Sequence, residues 1–283
     1  MIKAALVLEG GSLRSLYTAG VLDVFMENDI EFECVIGVSA GALCGANYIA
    51  KHIGNSAKIN ILHSNDPNFF GVRNFLLKGS VFNFDYLFNK PIRELYPYDE
   101  ERFKNSKQKF FIGATDSGTG DVVYFQKHDY SGLTNALEAS SSIPLMCKPV
   151  KIDGLLCTDG AVAEPIGINK AISEGYEKIV LVLTRQLDYR IQAPTALEKI
   201  FLRIYNKKYP RLMETIRKRH DKYNVLMKEI AKLKEEKKII VISPTCKIEI
   251  KSIERDARKL FKMYFLGRDN VREILPQISE YLK

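Results

Sequence analysis

The segment Val35-Ile36-Gly37-Val38-Ser39-Ala40-Gly41-Ala42 restricts this chain more than any other. An apolar run stops at Gly-x-Ser-x-Gly, and a helix-forming run, Ala40 to Lys51, begins at once. A strand that passes directly into a helix in this way must turn sharply, with Ser39 at the apex. Gly37 and Gly41 let the turn be tight, because a side chain at either position would collide with the neighbouring strand or helix. The turn pushes the Ser39 hydroxyl out of the sheet and sets helix-terminal N–H groups beside it. A serine nucleophile needs that arrangement. An ordinary βα turn with a buried or capping serine has the same pattern, so this segment alone leaves both readings open.

The surrounding pattern extends the strand-to-helix theme. Apolar runs at Ala4–Leu8, Cys34–Val38, Phe110–Thr115, Val122–Gln126 and Lys178–Thr184 alternate with helical stretches at 14–28, 40–51, 133–140 and 165–174. Such alternation predicts an α/β fold with a mainly parallel central sheet flanked by helices. Asp116 to Asp121 reads as a hairpin loop, and Asp153-Gly154 as the tight turn of a second hairpin over 150–157. Residues 54–108, with Pro67, Pro91 and Pro97 and an aromatic-rich stretch at 69–88, predict short helices and loops that form a lid or a substrate wall, or merely cover the sheet. Beyond residue 185 the spacing predicts helices at 197–205 and 211–236, a strand at 239–243, and two closing helices at 253–266 and 269–282. Two regions are therefore expected: a catalytic domain over 1–185, and a basic helical region over 186–283 that packs on or extends it.

Charge supports that division. Residues 1–185 hold 18 Lys and Arg against 21 Asp and Glu, whereas residues 186–283 hold 24 against 13. A basic appendage suits nucleic acid, an anionic membrane surface or simply a well-solvated helical face. No recognised nucleic-acid module accompanies the charge, so nucleic acid is not expected. Arg217-Lys218-Arg219-His220 and Lys237-Lys238 are the densest clusters. No run approaches the roughly 18 apolar residues needed to span a bilayer. The stretch from Met1 to Leu8 is too short for a signal peptide and meets Glu9 without a cleavage site. The five cysteines, at 34, 44, 147, 157 and 246, are odd in number and show no Cys-x-x-Cys; they are expected to be reduced and buried in a cytosolic protein. No metal motif occurs, and neither metal nor other cofactor is expected.

Three further blocks join the elbow. Gly10-Gly11-Ser12-Leu13-Arg14-Ser15 follows the first strand and opens a helix. Backbone N–H groups of such a turn can hold a phosphate or a developing oxyanion. The dinucleotide fingerprint is broken by Ser12 and Ser15, and no Gly-Lys-[Ser/Thr] follows to make a P-loop. Asp159-Gly160-Ala161 follows the second hairpin; its carboxylate could serve Ser39 as general base, or simply cap a turn. Ala139-Ser140-Ser141-Ser142-Ile143-Pro144 reads, by itself, as a helix end before a proline. His63 and His128 stay open as alternative bases, and Cys44 is expected to be a packed helix residue.

Taken in order, the blocks Gly10–Ser15, Gly37–Gly41, Ala139–Pro144 and Asp159–Ala161 resemble those of the patatin-like phospholipase family, and Leu6–Gly11 with Tyr17–Leu22 is similar to its bacterial branch. The resemblance covers roughly residues 3–185. It implies a three-layer fold and a Ser–Asp dyad, with Ser39 as nucleophile and Asp159 as general base. It also implies an oxyanion loop of Gly10, Gly11 and Ser12 with Arg14 at its basic position, an elbow framed by Gly37 and Gly41, and support for the aspartate from Gly160 and Ala161. The implied substrate is a lipid carboxylic ester, such as a phospholipid or lysophospholipid. The family has glycine where this chain has Ser12 and Ser15. That departure favours an alternative, a low-activity regulatory or scaffold protein on the same fold; a third reading is a nucleotide binder using the Gly10–Ser15 turn.

Overall fold

Strand β1 (Ile2–Leu8) has five consecutive apolar residues, Ala4 to Leu8, and all five are buried. A strand without alternation has to be covered on both faces, as inner strands of parallel sheets are. The computed structural model describes residues 1–89, 92–126, 129–195, 206–247, 249–251 and 253–283, and it places β1 in that position. β2 (Phe32–Val38) and β7 (Ile179–Val182) flank it, both parallel. β8 (Ile239–Ile242) continues the sheet beyond β7, and β3 (Lys109–Asp116) continues it beyond β2, again in parallel. There the direction changes. β6 (Leu155–Asp159) pairs antiparallel with β3, and β5 (Val150–Ile152) pairs antiparallel with β6. β4 (Val122–Phe125) folds back on β3. The result is an α/β fold with a mixed, mostly parallel sheet in the order β5-β6-β3-β2-β1-β7-β8. Asp153 and Gly154 both take positive φ in the β5–β6 turn, the backbone that Asp-Gly favours in a two-residue hairpin.

Successive side chains of β1 enter opposite cores, Leu6 and Leu8 on one face and Ala5 and Val7 on the other. The first core is covered by α1 (Leu16–Glu27), α2 (Ala40–Ile49), α8 (Tyr130–Ser141) and the C-terminal helix Ala257–Leu282. The second is covered by α9 (Ile168–Ser173) and by the long helix Pro210–Glu235 through Tyr223, Met227 and Ile230. Among the described residues five short helices run between α2 and β3: α3 (Asn55–Leu62), α4 (Val72–Lys78), α5 (Phe84–Phe88), α6 (Ile92–Leu95) and α7 (Glu100–Asn105). Among the described residues no helix is long and apolar enough to cross a membrane.

α1 is buried from Leu16 to Met26, which a helix tolerates only when packed on every side. Its one acidic residue there, Asp23, accepts bonds from Tyr264 Oη at 2.6 Å and Gly54 N–H at 3.0 Å. The sequence pattern expects two closing helices parted near Gly267, but residues 257–282 form one. Gly267 marks the crossing with α1 and not a break. A Cβ there would overlap the Tyr17 carbonyl oxygen, and a Cβ on Gly20 would overlap that of Tyr264. The helix expected over 197–205 lies outside the described residues.

Candidate active site

Ser39 follows β2 and precedes α2, with φ 54° and ψ −130°. A non-glycine residue at such a backbone is strained and must be held. Two bonds hold it. The Ser39 N–H donates to Ser140 Oγ at 2.8 Å, and that hydroxyl donates to the Gly113 carbonyl on β3 at 2.5 Å. The flanking glycines are needed for space: a Cβ on Gly37 would lie 2.5 Å from Ala42 Cα, and one on Gly41 2.5 Å from the Leu8 carbonyl oxygen.

β3 also positions the carboxylate. Its Gly113 pairs with Val38 of β2, and its next residue, Ala114, pairs with Asp159 of β6. Ser39 and Asp159 thus lie at the same level of the sheet, although 120 residues apart in the chain. Ser39 Oγ donates to Asp159 Oδ2 at 2.8 Å, and the Ala161 N–H donates to Oδ1 at 2.8 Å. The Thr115 hydroxyl donates to the Asp159 carbonyl at 2.8 Å. A Cβ on Gly160 would overlap the Gly113 carbonyl oxygen, so only glycine lets the turn lie against β3. Burial pushes the Asp159 carboxyl up to about 6, against the lowering effects of the Ala161 N–H, the Ser39 hydroxyl and Arg219. Arg219, from the long helix, donates through Nε to the Ala161 carbonyl at 2.7 Å.

The glycine loop runs alongside. A Cβ on Gly10 would come 3.1 Å from that of Ser39. The Gly10 N–H is directed elsewhere, to the Pro165 carbonyl at 3.3 Å, so Gly10 serves here for close approach. Ser12 has φ 51°, the left-handed region that favours glycine. Below the loop Glu9 is buried and accepts from Thr184 N–H at 2.6 Å, Thr184 Oγ1 at 3.0 Å and Tyr223 Oη at 2.9 Å. Burial raises its carboxyl. Arg14 Nε is buried without a hydrogen-bond partner among the described residues, and burial, then nearby Arg185, lower its guanidinium to about 10.

Ser39 stands where two cavities meet. One, of about 150 Å³, is walled by Leu16, Leu43, Phe69, Phe84, Leu133 and other apolar side chains. The other, of about 290 Å³, is lined by Arg14, Asp159 and Arg219 together with the glycine loop. An ester lying across Ser39 would have an apolar side and a cationic side. Among the described residues no three His, Cys, Asp or Glu side chains gather as a metal site would require.

The described histidines lie elsewhere. His52 Nε2 accepts from the Asp99 N–H, His63 faces Asp66, and His220 Nδ1 contacts the Arg217 carbonyl; His128 lies outside the described residues. Cys44 is buried, donates to the Ser15 carbonyl at 3.5 Å, and is pushed up to about 12 by burial, so it packs and does not react. Four cysteines are buried and unpaired, but Cys246 is exposed, contrary to the expectation for it. Sequence reasoning missed Ser140, whose block reads as a mere helix end, and also Arg219 and Tyr223. No local pattern ties either of these last two to the site, although Arg219 stands in a basic cluster, because each meets the site across the fold.

Residues 209–283 match a domain of unknown function (DUF6363). The uncharacterized protein YjjU of Escherichia coli (strain K12) is 28% identical over 187 residues, which cover 64% of this chain and 52% of that protein, so the chain spans about half the length of this curated relative. The crystal structure of VipD from Legionella pneumophila aligns with a TM-score of 0.45 and 10% identity, over 97% of this chain and 67% of that one. Residues 6–172, more than half of the chain, match the family described as patatin-like phospholipase, and the four ordered blocks fall within that span. The chain belongs to the patatin-like phospholipase family.

Proposed function

We propose that this protein is a serine acyl hydrolase that cleaves the carboxylic esters of phospholipids or lysophospholipids through an acyl-enzyme, in lipid degradation. One observation carries the reading: the 2.8 Å bond from Ser39 Oγ to a buried Asp159, at the meeting point of an apolar and a cationic cavity. Ser39 attacks the ester carbonyl while Asp159 takes its proton. A carboxyl near 6 is ionised at neutral pH and is a stronger base than an ordinary aspartate, which suits it to the transfer. On this reading the glycine-loop amides stabilise the oxyanion, a contribution worth about 10²–10³ in rate per donor. Asp159 returns the proton to the leaving alcohol and then activates water. The apolar cavity takes the acyl chain, and Arg14 and Arg219 meet the phosphate of the head group.

Ser39→Ala and Asp159→Asn are each expected to lower turnover of p-nitrophenyl esters and phospholipids by at least about 10³-fold, with thermal melts unchanged or raised. Wild-type turnover in either variant overturns that residue's role. A second reading, a weakly active regulatory protein on this fold, is favoured by Ser12 at its left-handed backbone. A fluorophosphonate probe separates the two: labelling of Ser39 supports the hydrolase, and an unreactive Ser39 supports the regulator. On the leading reading the protein works in the cytoplasm and visits membranes peripherally, drawn by the basic charge of residues 186–283.

A further inference from the structure

Helix α4 is built the wrong way round for a soluble protein. Its sequence is Val-Arg-Asn-Phe-Leu-Leu-Lys, and its buried residue is Asn74. Val72, Phe75, Leu76 and Leu77 are 73%, 40%, 78% and 72% exposed. Isolated exposed apolar residues are commonplace, but four on two turns of one helix form a patch. The inversion is held in place. Asn74 Nδ2 reaches the Pro67 and Asn68 carbonyls at 3.3 and 3.4 Å. An isolated bridge between Phe70 and Phe82 and a 3.0 Å bond from Gly71 N–H to Val81 O close the base of the excursion. Gly71 and Gly79 stand at its ends, the latter at φ 74°.

Three observations indicate what covers this patch. The first is continuity. Phe69 before the excursion and Phe82 and Phe84 after it line the apolar cavity that reaches Ser39. The second is charge. No acidic residue occurs between Asp66 and Asp85, whereas α4 carries Arg73 and Lys78. The Lys148 side chain lies against Gly79, and Arg255 lies beside Gly71 and 5.7 Å from the Phe70 ring. Lys78 is bonded to Asp85 at 3.0 Å, so Arg73, Lys148 and Arg255 carry most of the excess. The third is size. Seven residues make a helix about 10 Å long. A stable protein interface uses about 20–30 residues a side, whereas the apolar face of an interfacial helix sinks about 5–10 Å into a bilayer.

We propose that α4 is the element by which this protein enters the surface of an anionic phospholipid bilayer, its apolar turn among the acyl chains and Arg73, Lys148 and Arg255 at the phosphates. The proposal deepens the lipid-ester reading and rests on it for the purpose of docking. A substrate then passes from the membrane along Phe84 and Phe69 to Ser39 without crossing water. The basic C-terminal region supplies long-range attraction, and α4 supplies insertion.

The chain contains no tryptophan, so Leu76→Trp in the whole chain, combined with Ser39→Ala to spare the lipid, is a sole reporter. Mixed phosphatidylglycerol–phosphatidylcholine vesicles are expected to shift its emission to the blue, with quenching by brominated lipid and a smaller shift on phosphatidylcholine alone. Leu76→Ser with Leu77→Ser, both at exposed positions, is expected to weaken vesicle flotation about tenfold or more while leaving turnover of a soluble short-chain ester at the wild-type level. An unshifted emission, flotation unchanged in the double variant, or a lipid-independent blue shift that grows with protein concentration and marks a second copy as the occupant would each overturn the proposal. A lipid-dependent shift in a protein whose wild type fails to turn over the soluble ester would strike the hydrolase reading and leave the docking intact.

Discussion

Burial holds the Asp159 carboxyl near 6, and this sets a pH range for the proposed chemistry. The base form accepts the proton from Ser39, so activity should fall as pH drops through about 6 and be lost once the carboxyl is protonated. Arg219 lowers this value, so Arg219→Ala should move the acid limb of kcat/KM to higher pH, and Arg219→Lys should keep it near the wild-type position. A limb that stays fixed in both variants would mean that Arg219 only braces Ala161. The pair at the centre was legible because each member sits in its own short block, the elbow or Asp-Gly-Ala. Their supports were not. Ser140 meets Ser39 from 101 positions away and Arg219 meets Ala161 from 58, and neither distance leaves a trace in a local pattern. The assignment of the Gly10 amide to the oxyanion meets a different obstacle, since its engagement with Pro165 depends on a loop that comes back only after Asp159.

At the level of elements, strands and hairpins were readable because their signals are local. Apolar runs gave β1, β2, β3 and β7, and Asp153-Gly154 marked its own turn. The closing helix was misread because Gly267 looks like punctuation when its partner is unknown. Seen against α1, it is the place where two backbones touch. Gly267→Ala should therefore destabilise the protein by roughly 2 kcal/mol or more, by forcing the crossing apart, and should lower the melting temperature by several degrees. A melt unchanged by that substitution would show that the crossing relaxes freely. The aromatic wall at 69–88 and short helices across 54–108 were anticipated, but the outward apolar side of α4 was not. A helix of seven residues is too short to display a period, so its outward apolar side could not be told from an inward one.

Across the whole molecule, the contrast between an acidic first part and a basic last part suggests an appendage, yet the sheet runs through both. β8 lengthens the ladder begun by β1 and β7, the C-terminal helix covers α1, and Tyr223 and Arg219 reach the loops around Ser39. A chain ended after residue 208 would uncover the β7 edge, whose four residues are all buried, and one face of α1. It is expected to lose its cooperative melt and to aggregate through that edge, as seen by calorimetry and sedimentation. A soluble, cooperatively melting fragment would show instead that residues 1–208 suffice. The bond from Tyr223 to Glu9 has one more consequence, concerning time. On the ribosome Ser39 and Asp159 emerge well before the tyrosine that steadies the loop beside them. A half-made copy would hold both members of the proposed dyad without the scaffold that aims them, and the proposed chemistry would wait until residue 223 had been added and folded against Glu9.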